Sequence, residues 1–183
     1  MKHCRIRESL NTSVLCDGRN LNAIPADIPL LVRSVNIAKN NISQIKSEDF
    51  KDLTILKMLI MYSNMISHVE NGSFSDLVAL EQLNLSFNKL KSLSDQINKL
   101  HCFKELQHIL QLPSLLKLFI GNNSLNSLQS QEISNRSIGL TELDLSRNPL
   151  EIFSVTADIL PHFKKLDLYI CGINGSMEWD EVD

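Results

Sequence analysis

The stretch LEQLNLSFNKL, residues 80–90, sets Leu80, Leu83, Leu85 and Leu90 around one asparagine, Asn88. This spacing fits neither regular period. Leu83 and Leu85 alternate as in a strand, but Leu80 and Leu90 break the period of two, and an amide sits among apolar neighbours. Taken alone, the segment has nowhere to bury its leucines.

It is not alone. The same spacing returns as Val32, Val35, Ile37, Asn40 and Ile42, and as Leu56, Leu59, Met61, Asn64 and Ile66. After the copy at Leu80 come Leu115, Leu118, Ile120, Asn123 and Leu125, then Leu140, Leu143, Leu145, Asn148 and Leu150, and finally Phe163, Leu166, Leu168, Cys171 and Ile173. The six starts fall 24, 24, 35, 25 and 23 residues apart. A fixed period of this length marks a solenoid in which each unit buries its apolar side against the next. Short strands at the alternating pairs stack in parallel, about 4.8 Å apart. Where the chain turns away, Asn40, Asn64, Asn88, Asn123 and Asn148 offer amides to backbone groups that burial would leave unpaired, so they form a ladder. Cys171 takes the sixth rung as a small buried thiol.

The return half of each unit carries Ile45, Phe50 and Leu53 in one copy and Val69, Phe74 and Leu77 in the next, at identical offsets. Phe plugs in a 24-residue period leave room for turns rather than a full helix per unit. The third copy is about 11 residues too long (35 against 24). Within it, Ile97, Leu100, Phe103 and Leu106 recur at near-helical spacing, which predicts a short convex helix or bulge near 94–108. The expected architecture is an α/β leucine-rich repeat solenoid: a horseshoe arc with a parallel concave sheet. Residues 1–29 form an amino-terminal cysteine cap, 30–176 the repeats and 177–183 an acidic tail.

Cys4 and Cys16 flank a short loop in that cap, and a bond between them implies an oxidising compartment. The alternative is a pair of reduced, packed thiols; Cys102, in the long copy, has no assigned partner. Seven N-x-S/T sequons, at Asn11, Asn41, Asn71, Asn84, Asn122, Asn135 and Asn174, exceed what the Asn and Ser/Thr content supplies by chance. They are candidate glycan acceptors and favour secretion, although an Asn- and Ser-rich repeat also generates sequons. Asn84 alone projects from the middle of a concave strand, where a sugar would obstruct the face.

With 18 basic and 21 acidic side chains the net charge is −3, so nothing draws the chain generally to nucleic acid or anionic membrane. No run of about 18 apolar residues is present to span a bilayer. The opening MKHCRIRESL lacks the apolar stretch of a secretory leader, which reads as a mature start with an added Met1 or as an incomplete gene model. The five histidines show no zinc spacing; His101, Cys102 and His108 come nearest to a cluster and read better as solvated helix residues. GINGS at 172–176 lacks the Lys of a phosphate loop, and no serine sits in a nucleophile elbow. The expectation is a binding protein without catalysis or cofactor. Its outward strand positions put Ile60, Tyr62 and Phe119 on the concave face as candidates for ligand contact.

The stretch VLCDGRNLNAIPADIPLLVRSVNIAKNNISQI, with LEQLNLSFNKL, LTELDLSRNPL and the Phe50 and Phe74 plugs, resembles the amino-terminal end of vertebrate Toll-like receptor ectodomains. The resemblance runs from about residue 4 to residue 175. It implies a pattern-recognition role in innate immunity: binding of a microbial ligand or protein partner, receptor dimerisation, and a place outside the cell or in the endosomal lumen. About six repeats, with no carboxy-terminal cysteine cap, membrane span or signalling domain, imply a fragment or truncated form. The alternative reading is a secreted or matrix-type leucine-rich protein for adhesion or scaffolding, and a weaker one is a cytosolic repeat scaffold.

Overall fold

A computed structural model describes residues 4–7, 12–91, 104–128, 139–156, 160–169, 171 and 178–180. The strands, in chain order, are β1 (Arg5–Arg7), β2 (Ser13–Leu15), β3 (Ser34–Asn36), β4 (Gln44–Ile45), β5 (Met58–Ile60), β6 (His68–Val69) and β7 (Gln82–Asn84). They continue with β8 (Lys117–Phe119), β9 (Ser127–Leu128), β10 (Glu142–Asp144), β11 (Ile152–Thr156), β12 (Lys165–Asp167) and β13 (Glu178–Asp180). One sheet of eight strands runs β1-β2-β3-β5-β7-β8-β10-β12. Every pairing in it is parallel except β1 with β2. Strands joined in parallel need a crossover, and here the crossover is the rest of one repeat. The return side carries the narrower sheets β4-β6 and β13-β11-β9.

The concave strands β3, β5, β7, β8 and β10 are each three residues long, with the middle residue buried. Val35, Leu59, Leu83 and Leu118 are fully buried and Leu143 nearly so, and all five are register partners along the stack. Burying an aliphatic side chain of this size contributes roughly 1.5–3 kcal/mol. On the return side Phe50 and Phe74 are buried, their rings stacked with centroids 5.9 Å apart. The identical offsets of these two residues in sequence become direct contact in space.

Helix among the described residues amounts to α1 (Lys104–Leu110) and one 3-10 turn, Leu160–His162. The near-helical run predicted in the long copy overlaps α1 only through Leu106, which is buried with Ile109 and Leu110; Ile97, Leu100, Phe103 and most of the 94–108 insert lie outside the described residues. The regular pattern resumes with Leu112 and Leu115, both buried.

At the amino-terminal end Cys4 and Cys16 are disulfide-bonded, with Cα atoms 4.4 Å apart. The bond ties β1 across the end of the sheet, and Cys16 is itself part of the core. At the other end burial fades: Phe163, Leu166, Leu168 and Cys171 are only partly buried.

Candidate functional site

The ladder fixes the shape of the concave face. Asn40 donates from Nδ2 to the carbonyls of Cys16, Ile37 and Ala38, at 2.9, 2.9 and 3.0 Å. Its Oδ1 accepts the N–H groups of Arg19 and Leu21. Asn64 donates to Ile37 and Met61 and accepts from Ile42. Asn88, Asn123 and Asn148 repeat the arrangement, each donating to a carbonyl of the preceding repeat: Met61, Leu85 and Ile120. Cys171 reaches the carbonyl of Leu145 through its thiol at 3.3 Å. Burial pushes that thiol up from its ordinary range.

A feature not anticipated from sequence precedes each of the five asparagine rungs. Lys39, Ser63, Phe87, Asn122 and Arg147, one residue before Asn40, Asn64, Asn88, Asn123 and Asn148, all have φ between 52° and 56°. This left-handed geometry costs a residue other than glycine about 1–2 kcal/mol. The asparagine bonds that follow hold the backbone there. The geometry also lets the chain leave the strand sharply enough to expose residue 39, 87 or 147 at the rim.

The outward positions form columns by register. Asn36, Ile60, Asn84, Phe119, Asp144 and Asp167 are successive partners across β3, β5, β7, β8, β10 and β12. Four of these six serve the backbone. Asn36, Asn84, Asp144 and Asp167 each accept, through Oδ1, the N–H two residues ahead, at 2.9–3.0 Å. Ile60 and Phe119 have no such acceptor and flank Asn84 on either side. Both are half-buried rather than fully exposed, as is Tyr62. The ammonium of Lys39 lies 5.7 Å from the centre of the Tyr62 ring, within cation–π range. Phe87, at the same rim, is 52% exposed. An apolar and aromatic patch thus occupies the middle of a face that is otherwise polar.

Beyond the patch Gly121 admits the Asp144 side chain: a Cβ there would lie 2.9 Å from both Asp144 Oδ1 and Ser146 Oγ. Charges on the face are paired across repeats, Lys57 with Glu81 and Lys117 with Glu142, each at 2.6 Å. These half-exposed pairs add little stability.

Of the sequon asparagines, Asn41 and Asn71 are exposed and Asn84 and Asn122 half-exposed; Asn11, Asn135 and Asn174 lie outside the described residues, as does Cys102. No group of three or more His, Cys, Asp or Glu side chains able to hold a metal occurs among the described residues. His101 and Cys102 fall outside them. No helix among the described residues is long and apolar enough to cross a membrane.

Comparison with known proteins agrees with this geometry. Two family models, both described as leucine rich repeat, match residues 31–90 and 139–166. The chain is 29% identical over 169 residues to human leucine-rich repeats and immunoglobulin-like domains protein 1, covering 85% of this chain and 15% of that protein. It is 29% identical to rat osteomodulin over 183 residues, 93% of this chain and 37% of the relative. Pig biglycan is 30% identical over 143 residues, 72% of this chain and 51% of the relative. The chain therefore spans about half or less of each of these relatives. By its coil, its asparagine ladder and these matches, it is a leucine-rich repeat protein.

Proposed function

We propose that the chain is an extracellular binding module of the secreted or matrix type, holding a protein partner against its concave face at Ile60, Tyr62 and Phe119. The observation that carries this reading is the break in the central column. Where the other four members spend their side chains on backbone N–H groups, Ile60 and Phe119 present apolar surface beside Tyr62 and Lys39. Aromatic side chains of this kind dominate protein interfaces. The Cys4–Cys16 disulfide supports an oxidising compartment, and the sequons support passage through the secretory route. The likeness to osteomodulin and biglycan supports a matrix-type role over a signalling one. The reading also requires Asn84 to carry no glycan, because its register partners are Ile60 and Phe119 themselves.

The test is adhesion of cells or matrix extract to the secreted, immobilised protein. The pair of changes Ile60→Ser and Phe119→Ser should lower it at least about tenfold, the order expected for losing a hot spot. The convex control Gln44→Ala should leave it unchanged. Equal adhesion by a folded double variant excludes the concave patch.

The second reading, the ligand-recognition portion of a Toll-like receptor, rests on the cap and first repeat, VLCDGRNLNAIPADIPLLVRSVNIAKNNISQI. Under it, the partner is a microbial ligand and the module dimerises. None of the relatives named above is a Toll-like receptor. Coding sequence running on into a membrane span and a cytoplasmic signalling domain would favour this reading.

A further inference from the structure

We propose that position 71 is a site of spontaneous covalent change: in molecules whose Asn71 bears no sugar, the Asn71–Gly72 pair converts to aspartate or isoaspartate. This inference is independent of what the concave face binds. Three features of the turn after β6 carry it. The Asn71 side chain is exposed. Gly72 has φ +77°, and apart from its chain neighbours nothing lies within 4 Å of where a Cβ would stand, so no other residue crowds the turn there. The Gly72 N–H meets no acceptor among the described residues, so that nitrogen is not held back.

The other exposed acidic or amide residue followed by glycine among the described residues, Asp17 before Gly18, shows the contrast. Gly18 N–H donates to the Ala38 carbonyl at 3.0 Å, which occupies the nitrogen that would have to attack. Around Asn71 the turn itself resists the reaction: Ser73 N–H donates to the Glu70 carbonyl at 3.2 Å, the Ser73 hydroxyl bonds the same oxygen, and Ser75 N–H donates to the Gly72 carbonyl at 3.0 Å, none of which occupies the Gly72 nitrogen.

The chemistry balances with water alone. The Gly72 nitrogen gives its proton to solvent and attacks Cγ of Asn71. The Cγ–Nδ2 bond breaks and ammonia leaves, closing a five-membered imide. Water then opens one of the two imide carbonyls, giving aspartate by one route and isoaspartate by the other. Asn71 is also a sequon asparagine, and the leaving nitrogen is the one a glycan would occupy. The two fates therefore exclude each other. Isoaspartate also adds a methylene to the backbone three residues before Phe74, whose ring stacks on Phe50.

The experiment compares protein secreted with N-glycans against the same chain made without glycosylation, both incubated at mildly alkaline pH in heavy-oxygen water and mapped by mass spectrometry. Without glycans, the peptide containing Asn71 should gain about 1 Da plus the heavy-oxygen label, and react with an isoaspartate methyltransferase. It should convert at least about tenfold faster than Asn41, whose following residue is the β-branched Ile42. Glycosylated Asn71 should stay unchanged. The proposal is overturned if Asn71 in the glycan-free protein is stable while a free peptide of sequence ENGSF converts in the same buffer, or if glycosylated and bare Asn71 convert alike.

Discussion

Asn64 Nδ2 stands 3.0 Å from the carbonyl oxygen of Ile37, 27 residues earlier in the chain. The same side chain accepts the N–H of Ile42, also in the preceding repeat, at 3.2 Å. One buried amide thus bonds both the strand exit and the start of the return segment of the neighbouring coil. Asn64→Ala would leave the N–H of Ile42 without its partner, while the carbonyls of Ile37 and Met61 would each keep one donor, Asn40 and Asn88. One orphaned buried donor costs about 1–3 kcal/mol, so a loss in that range is expected in urea unfolding. A loss below 1 kcal/mol would mean that water replaces the rung without penalty.

Leu83 and Asp144 define the two sides of the sheet. Leu83 is fully buried, so Leu83→Asp places an unpaired charge between β5 and β8 and should abolish cooperative unfolding. Asp144→Asn should shift stability by less than about 0.5 kcal/mol, because Asn36 and Asn84 already make the same bond to the N–H two residues ahead. Comparable damage from the two changes, measured by thermal melts, would reverse the assignment of inner and outer faces.

The left-handed residues give a prediction of opposite sign. Ser63 has φ 55°; glycine there relieves about 1–2 kcal/mol of steric cost while losing roughly 0.5–1 kcal/mol to chain entropy. Ser63→Gly should therefore stabilise the protein by about 0.5 kcal/mol. Ser63→Val should destabilise it by more than 1 kcal/mol, since β-branching disfavours positive φ. Chemical denaturation of the two variants side by side would show the order, and equal midpoints would contradict it.

Opening the Cys4–Cys16 bond, which closes a sequence separation of 12, should cost about 3 kcal/mol. Cys16 belongs to the core, so Cys4→Ala with Cys16→Ala tests the bond without burying a hydroxyl. Hydrogen exchange should then quicken first at Val14 and Val35, the core residues paired through β2 and β3. Exchange rising instead at β10 and β12 would show that the cap does not protect the end it covers.

How much of this was legible beforehand follows from which interactions are periodic. The coil, the parallel sheet and the Phe50 and Phe74 plugs were readable because burial repeats every 24 residues and one geometry hides all those side chains. The disulfide was legible as an expectation from cap position. The left-handed residue before each rung was not, because Lys39, Ser63, Phe87, Asn122 and Arg147 share no side-chain chemistry; the strain is imposed by the asparagine after them. The bonds from Asn36, Asn84, Asp144 and Asp167 to the backbone did have a signal, an Asx residue recurring between the two apolar strand positions. Ile60 and Phe119 were recognised as apolar while the significance of their breaking that series was not. The long third copy was legible as extra length and as near-helical spacing, of which the described residues show α1 around Leu106.

The central claim, that successive repeats stack in parallel with one fixed register, is tested most directly by paired cysteine cross-linking between β5 and β7. Met58 faces Gln82 and Ile60 faces Asn84. The pairs Met58→Cys with Gln82→Cys, and Ile60→Cys with Asn84→Cys, should each close a disulfide under mild oxidation, while Met58→Cys with Asn84→Cys should not. Ready cross-linking of Met58→Cys with Asn84→Cys and of Ile60→Cys with Gln82→Cys, in place of the first two pairs, would mean antiparallel strands and would contradict the solenoid.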